Sequence, residues 1–249
     1  MTYLQFHLVF ILPPILLLGW LTFRRQIAGL THRRVRASIP LVALIAFVYT
    51  TPWDNYLVYR EIWGYPEGRV LATIYYVPVE EYMFFLLQPV LTGFAFILLL
   101  LLYPLRDGID EALRPSMKAV GGLFWLAITA LGFWLLTFER GTYMGLILAW
   151  ASPVLAGMWA WKGDVFWRFR RHLVLGVMLP TVYLWIADRI AIGLDIWYIA
   201  EPTTLGFKPL GLPIEEATFF LITNILCVQG LMLFMNVWSA LPRRQDAVA

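Results

Sequence analysis

Two short runs carry the residues best able to do chemistry. Pro78-Val79-Glu80-Glu81-Tyr82-Met83-Phe84-Phe85 recurs as Pro213-Ile214-Glu215-Glu216-Ala217-Thr218-Phe219-Phe220, 135 positions later. Upstream, Asp54 is answered by Asp188, and Ile62-Trp63 by Ile196-Trp197, each 134 positions on. A carboxyl can give or take a proton, and aromatic faces stabilise cations. Acids and aromatics in one apolar pocket therefore suit a reaction that passes through a carbocation. A single Pro-x-Glu-Glu is an ordinary helix start, because proline suits the first turn and acids suit the helix dipole. Here each copy runs into paired phenylalanines and a long apolar stretch. That puts the acids at or below the headgroup level of a membrane, where ionisable groups are costly and functional by default.

The elements that hold these residues are membrane spans. The chain has 249 residues, of which 61% are hydrophobic and 14% charged, against about 25% charged in soluble domains. Its mean hydropathy is +0.72. About 20 apolar residues cross a bilayer as a helix, and the sequence predicts seven such segments: Tyr3–Phe23, Ser38–Trp53, Val79–Tyr103, Ala119–Phe138, Tyr143–Trp161, Leu173–Ile192 and Pro213–Trp238. The second is short and extends readily into the loop that follows. Met1 to Trp20 carries no Lys or Arg, and Arg24 and Arg25 follow it, the reverse of a secretory signal. The segment reads as a retained helix.

Alternating spans put Arg24, Arg25, Arg33, Arg34 and Arg36 on one side. Arg106, Arg114, Lys118, Lys162, Arg168, Arg170, Arg171, Arg243 and Arg244 fall on that side too. The positive-inside rule makes it cytoplasmic and places the N-terminus outside and the C-terminus inside. The pI near 9.0 is accounted for by topology, with no nucleic-acid partner implied. Most acids, including both Glu-Glu pairs, lie on the outer side. The lone Cys227 excludes an internal disulfide framework and reads as a packing residue.

The order Asp, Ile-Trp, Pro-x-Glu-Glu-x-x-Phe-Phe marks an internal duplication. Three helices reverse the chain's direction, so a fourth is needed for the second copy to run parallel to the first. The predicted plan is all-α. Residues 1–105 form a first three-helix repeat, 106–140 a connector loop and helix four, and 141–249 a second three-helix repeat, in one membrane domain. Both acid pairs then lie at the same depth. Adjacent residues stand about 100° apart on a helix. One acid of each pair is expected to face the bundle interior, and the other to cap the helix or face water. Asp54 and Asp188 sit at the same outer helix ends. Trp53, Trp63, Trp197 and several tyrosines read either as an interfacial belt or as walls of a site.

These motifs, with Trp53-Asp54-Asn55 upstream, resemble the carotenoid cyclases of the heterodimeric lycopene cyclase type. In that family two three-helix subunits act together or are fused in one chain, and this sequence resembles the fused form over nearly its whole length. The resemblance implies closure of the ends of lycopene, through γ-carotene to β-carotene, by proton addition, attack of the neighbouring alkene on the cation, and proton loss. It implies Glu80, Glu81, Glu215 and Glu216 as the proton-handling residues. One glutamate would be protonated and donate; another would be ionised and accept. Asp54, Asp188, Phe84, Phe85, Phe219, Phe220, Trp63, Trp197, Gln88 and Asn224 would contact substrate. The second copy departs from the first: Asp188-Arg189 stands where Asp54-Asn55 stands, and Asn224 lies one position from the counterpart of Gln88. No dinucleotide-binding G-x-G-x-x-G follows a strand, so neither flavin nor metal is expected. The expected partners are a carotenoid and the lipid bilayer.

Competing readings remain open at this point. A retinal protein needs a lysine in its last span, and Pro213–Trp238 has none. A prenyltransferase needs paired Asp-rich motifs, and Asp107-x-x-Asp110 stands alone. A proton-coupled transporter fits parallel repeats with membrane acids. A longer C50 substrate or an ε ring fits the cyclase chemistry equally well. Gly141-x-x-x-Gly145 predicts a close helix contact.

Overall fold

The computed structural model describes residues 1–22, 24–105 and 113–240. Phe23, Arg106, Asp107, Asp110, Arg243 and Arg244 lie outside the described residues. Among the described residues, seven helices are long and apolar enough to cross a membrane. They are α1 Tyr3–Thr22, α2 His32–Tyr59, α3 Val79–Leu102, α4 Ser116–Leu135, α5 Thr142–Arg168, α6 Arg170–Gly193 and α7 Ile214–Met235. In lipid every backbone polar group needs an internal partner, so the backbone keeps its helical bonds where the apolar run ends. This explains the differences from the predicted bounds. α2 begins at His32, so Arg33, Arg34 and Arg36 sit in its first turns. α5 and α6 are separated by Phe169 alone, so Arg168, Arg170 and Arg171 are helical, Lys162 marks a kink within α5, and the predicted loop after helix five does not form. Long basic side chains reach the interface from such positions. Lys118 of α4 pairs with Asp164 at 3.5 Å, and Lys162, at a kink in α5, lies 4.4 Å over the Trp238 ring.

α3 and α7 form the centre. α1, α2 and α6 pack on α3; α2, α5 and α6 pack on α7; α4 packs against α5. The α4–α5 contact is close because glycines line it. A Cβ at Gly145 would stand 2.8 Å from the Gly132 carbonyl oxygen, and one at Gly132 would stand 2.6 Å from the Ala149 nitrogen. The predicted close approach at Gly145 is thus present, with Gly132 as its partner. The core divides into an aromatic-rich cluster at the end bearing the Glu-Glu pairs and an aliphatic-rich cluster at the opposite end. We call the first the carboxylate end.

Two connections cover the carboxylate end. Residues 60–78 carry β1 Trp63–Gly64 and a tight hairpin of β2 Thr73–Ile74 with β3 Val77–Pro78. Residues 194–213 carry β4 Tyr198–Ile199, which pairs antiparallel with β1. The register sets Gly64 opposite Tyr198 and Trp63 opposite Ile199. Strands of two residues are too short to show a period-2 pattern, so they escape a sequence reading.

Candidate active site

Each Glu-Glu pair lies in the first turn of its helix, α3 or α7, behind a proline in the N-cap position. All four glutamates are buried, and none caps its own helix. The expectation that one acid of each pair caps or faces water is therefore corrected. Glu80 Oε1 accepts the Leu71 N–H at 2.9 Å, and Glu215 Oε1 accepts the Leu205 N–H at 2.7 Å. A backbone bond accompanies each: Val79 N–H to Ala72 O and Ile214 N–H to Phe207 O, both 3.0 Å. The chain folds back over the helix start, and the first glutamate of the pair serves a loop N–H that burial would otherwise leave without a partner.

The second glutamates face the interior. Glu81 Oε2 accepts the phenol of Tyr3 at 2.5 Å and that of Tyr65 at 3.0 Å. Glu216 Oε1 accepts the phenol of Tyr143 at 2.5 Å. Burial, then the neighbouring Glu81 carboxyl, holds the Tyr65 phenol well above its ordinary range, so this loop tyrosine stays a donor at working pH. Tyr3 is held by the loop above it, its N–H donating to Arg69 O at 2.8 Å.

Asp54 and Asp188 are fully buried within α2 and α6. They are not ordinary charges at the ends of helices. Asp188 Oδ1 accepts the Trp197 indole N–H at 3.0 Å. Both Asp54 oxygens, and Asp188 Oδ2, are without a hydrogen-bond partner among the described residues. Each aspartate lies within Coulombic reach of both Glu81 and Glu216. The four carboxyls form one cluster drawn from α2, α3, α6 and α7.

Glu81, Glu216 and Asp188 line a cavity of about 40 Å³. Its walls are aromatic. Trp63, Trp197, Phe84, Phe219 and Phe220 line it, as do Tyr3 and Tyr65. Ring centroids lie 6.2 Å apart for Phe84 and Phe220, and 5.3 Å for Phe219 and Phe220. The remaining predicted residues lie elsewhere. Asp54, Glu80 and Glu215 are not among the cavity's walls, and Phe85 and Gln88 line an adjoining apolar groove. Asn224 accepts from Gln88 at 2.7 Å and from Thr92 at 2.6 Å, deeper between α3 and α7. This amide cluster ties the central helices together.

Sequence reading missed Tyr3 and Tyr143. Their signal is a tyrosine at the start of α1 and of α5, but they stand 78 and 73 residues from their glutamates. A fixed period of 134 or 135 does not connect them.

In comparisons with known proteins, no family model and no solved structure matches. The chain is 39% identical over 233 residues to the lycopene beta-cyclase of Halobacterium salinarum, covering 94% of this chain and 95% of that one. It is 38% identical over 222 residues to a bifunctional lycopene cyclase/phytoene synthase of Colletotrichum graminicola, covering 84% of this chain and 38% of that one. A protein of the same description from Leptosphaeria maculans is 35% identical over 252 residues, covering 96% and 42%.

Proposed function

Since this chain belongs to the lycopene cyclase family, we propose that its buried carboxylate cluster closes the ends of lycopene into β rings, giving β-carotene through γ-carotene. The observation that carries the proposal is that Glu81 and Glu216, one from each motif, face the same aromatic cavity. A carboxyl donates its proton to the terminal double bond. The tertiary cation is attacked by the next alkene, a carbon–carbon bond closes the six-membered ring, and the cation moves into the ring. A ring proton leaves to a carboxylate and restores the double bond. One proton enters and one departs, and no electrons are exchanged, so the reaction requires neither oxidant nor reductant. Pre-positioned proton donors and acceptors contribute on the order of 10²–10⁴ to such steps. Aromatic faces around a desolvated cation add about 2 kcal/mol.

Glu81 collects two phenolic donors, the surroundings of an accepting carboxylate, and Glu216 collects one. Glu216 is thus the donor and Glu81 the acceptor, with Asp188 and Asp54 completing the cluster. Glu80 and Glu215 hold the covering loops in place.

The chain is two parallel repeats, 1–105 and 141–249, joined by residues 106–140 with α4. Matched hydrogen bonds support this reading. Leu71 to Glu80 is paralleled by Leu205 to Glu215, Tyr3 to Glu81 by Tyr143 to Glu216, and Tyr49 to Trp150 O by Tyr183 to Phe10 O. The β1–β4 ladder, with Gly64 facing Tyr198, fits a two-fold axis through the carboxylate end. The basic residues at the other end put that end in the cytoplasm and the carboxylates outside.

Expression in a bacterium that accumulates lycopene, followed by pigment chromatography, tests the activity. A shift to β-carotene is expected. Unchanged lycopene, with the protein shown to be in the membrane, would refute it.

A further inference from the structure

The carboxylate cavity is too small for a long polyene, so the rest of the substrate must lie elsewhere. Two apolar grooves open on the lipid-facing surface. The first runs between α2 and α5 over α7 and holds about 280 Å³. The second runs between α1 and α6 over α3 and holds about 320 Å³. The repeat correspondence relates them. Tyr49, Met158, Leu226 and Gly230 of the first answer Tyr183, Leu18, Leu91 and Ala95 of the second.

The two grooves are not equivalent. The first shares Phe84 and Phe219 with the carboxylate cavity, so the two spaces adjoin at those rings. The second shares no residue with the cavity. Where the first groove has Thr50, the second repeat has Leu184, which is buried and forms part of the cavity wall. A stacked aromatic row also leads inward beside the first groove. Tyr49 lies on Trp150 (5.2 Å), Trp150 on Trp53 (4.4 Å) and Trp53 on Phe219 (5.8 Å). Ala187, the counterpart of Trp53, interrupts the row in the other half. Along α7 the first groove extends from Phe219 to Phe234, about 22 Å at the helical rise per residue. It is long and apolar, and its inner end lies at rings that also wall the carboxylate cavity.

We propose that the α2–α5–α7 groove seats the linear polyene of the carotenoid and admits one end group at a time past Phe84 and Phe219, while its counterpart is closed to substrate. This rests on the cyclase reading. The second ring then closes only after the chain has left and re-entered reversed.

Gly230 and Ala95 occupy matched positions in the two grooves and give a matched test. A Cβ at Gly230 meets nothing nearer than Val42 at 3.4 Å, so a side chain can start there without a backbone clash, and Gly230→Leu adds bulk to a residue that lines the groove. Purified wild-type protein, Gly230→Leu and Ala95→Leu are each given lycopene in lipid vesicles. Initial conversion is followed by chromatography, and folding by thermal melting. We expect Gly230→Leu to lose about tenfold or more in rate, the scale of steric overpacking, and Ala95→Leu to remain within about twofold. Thr50→Leu, which installs the residue of the closed half, gives the same loss and replaces Gly230→Leu should that variant not fold. Wild-type conversion secures the cyclase reading. Against it, full activity in Gly230→Leu and Thr50→Leu, equal losses in both grooves, or a loss confined to Ala95→Leu overturns the single-entrance proposal. Lycopene left unconverted by the wild type removes both readings together.

Discussion

Exchanging a single oxygen for nitrogen at two neighbouring glutamates separates the two jobs assigned to each pair. Glu81→Gln keeps a carbonyl oxygen for the Tyr3 and Tyr65 phenols but removes the group that takes and returns a proton. The loss in rate is on the order of 10²–10⁴, or about 3–5 kcal/mol in barrier, with little change in stability. Glu80→Gln keeps the acceptor for the Leu71 N–H. It places an amide NH2 where Oε2 is buried without a partner, an unsatisfied donor that costs about 1–3 kcal/mol of stability. At this chain length that is a fall of roughly 2–12 °C in Tm. Activity in Glu80→Gln stays within about tenfold of wild type, because the proton-handling acids are untouched. The assay pairs initial rates on lycopene in vesicles with thermal unfolding followed by circular dichroism. An inactive, normally stable Glu80→Gln beside an active Glu81→Gln would refute the division of roles. The Glu215→Gln and Glu216→Gln pair repeats the comparison in the other half.

Two further outcomes follow from the same geometry. Tyr143→Phe removes the one phenol on Glu216 and should slow ring closure about tenfold or more. Tyr3→Phe leaves Tyr65 on Glu81 and should cost less, with initial rates deciding the order. In deuterated water each ring closed should carry one deuterium at the carbon that accepts the proton, two in the bicyclic product, read by mass spectrometry; unlabelled β-carotene would exclude proton initiation from exchangeable carboxyls.

The seven helices were legible because bilayer thickness imposes a length of apolar chain that no soluble helix needs, and because the duplicated motif fixes where α3 and α7 start. The place of both acid pairs in the first turn of a long apolar helix followed from the same two facts. What was not legible depended on contacts between distant segments. Glu80 and Glu81 differ by one position and are chemically identical. Their roles diverge because Leu71 brings a backbone N–H to one and Tyr3 a phenol to the other. Helical spacing alone separates the two faces without saying what meets each. Phe84 and Phe85 divide similarly: Phe84 touches both cavity and groove, Phe85 the groove.

On the proposed two-repeat reading, the differences between the halves bear on why one chain would hold two copies. Two identical halves about an axis would offer the substrate two equal acids and two equal entrances. Cation chemistry needs unlike partners, one carboxyl charged with a proton and one ready to receive it. Three of the departures from symmetry fall where they would create that inequality. Tyr65 adds a second phenol to Glu81, whereas the corresponding position in the other half is Ile199, which cannot donate. Trp197 bonds Asp188, whereas Trp63 leaves Asp54 unbonded. Thr50 lines one groove, whereas its counterpart Leu184 lines the carboxylate cavity and not the other groove. Substitutions at these positions would be costly in a dimer of identical subunits, since each would appear on both sides of the axis. Joined in one chain, each half can change without its counterpart, and a symmetric frame can carry a directional reaction.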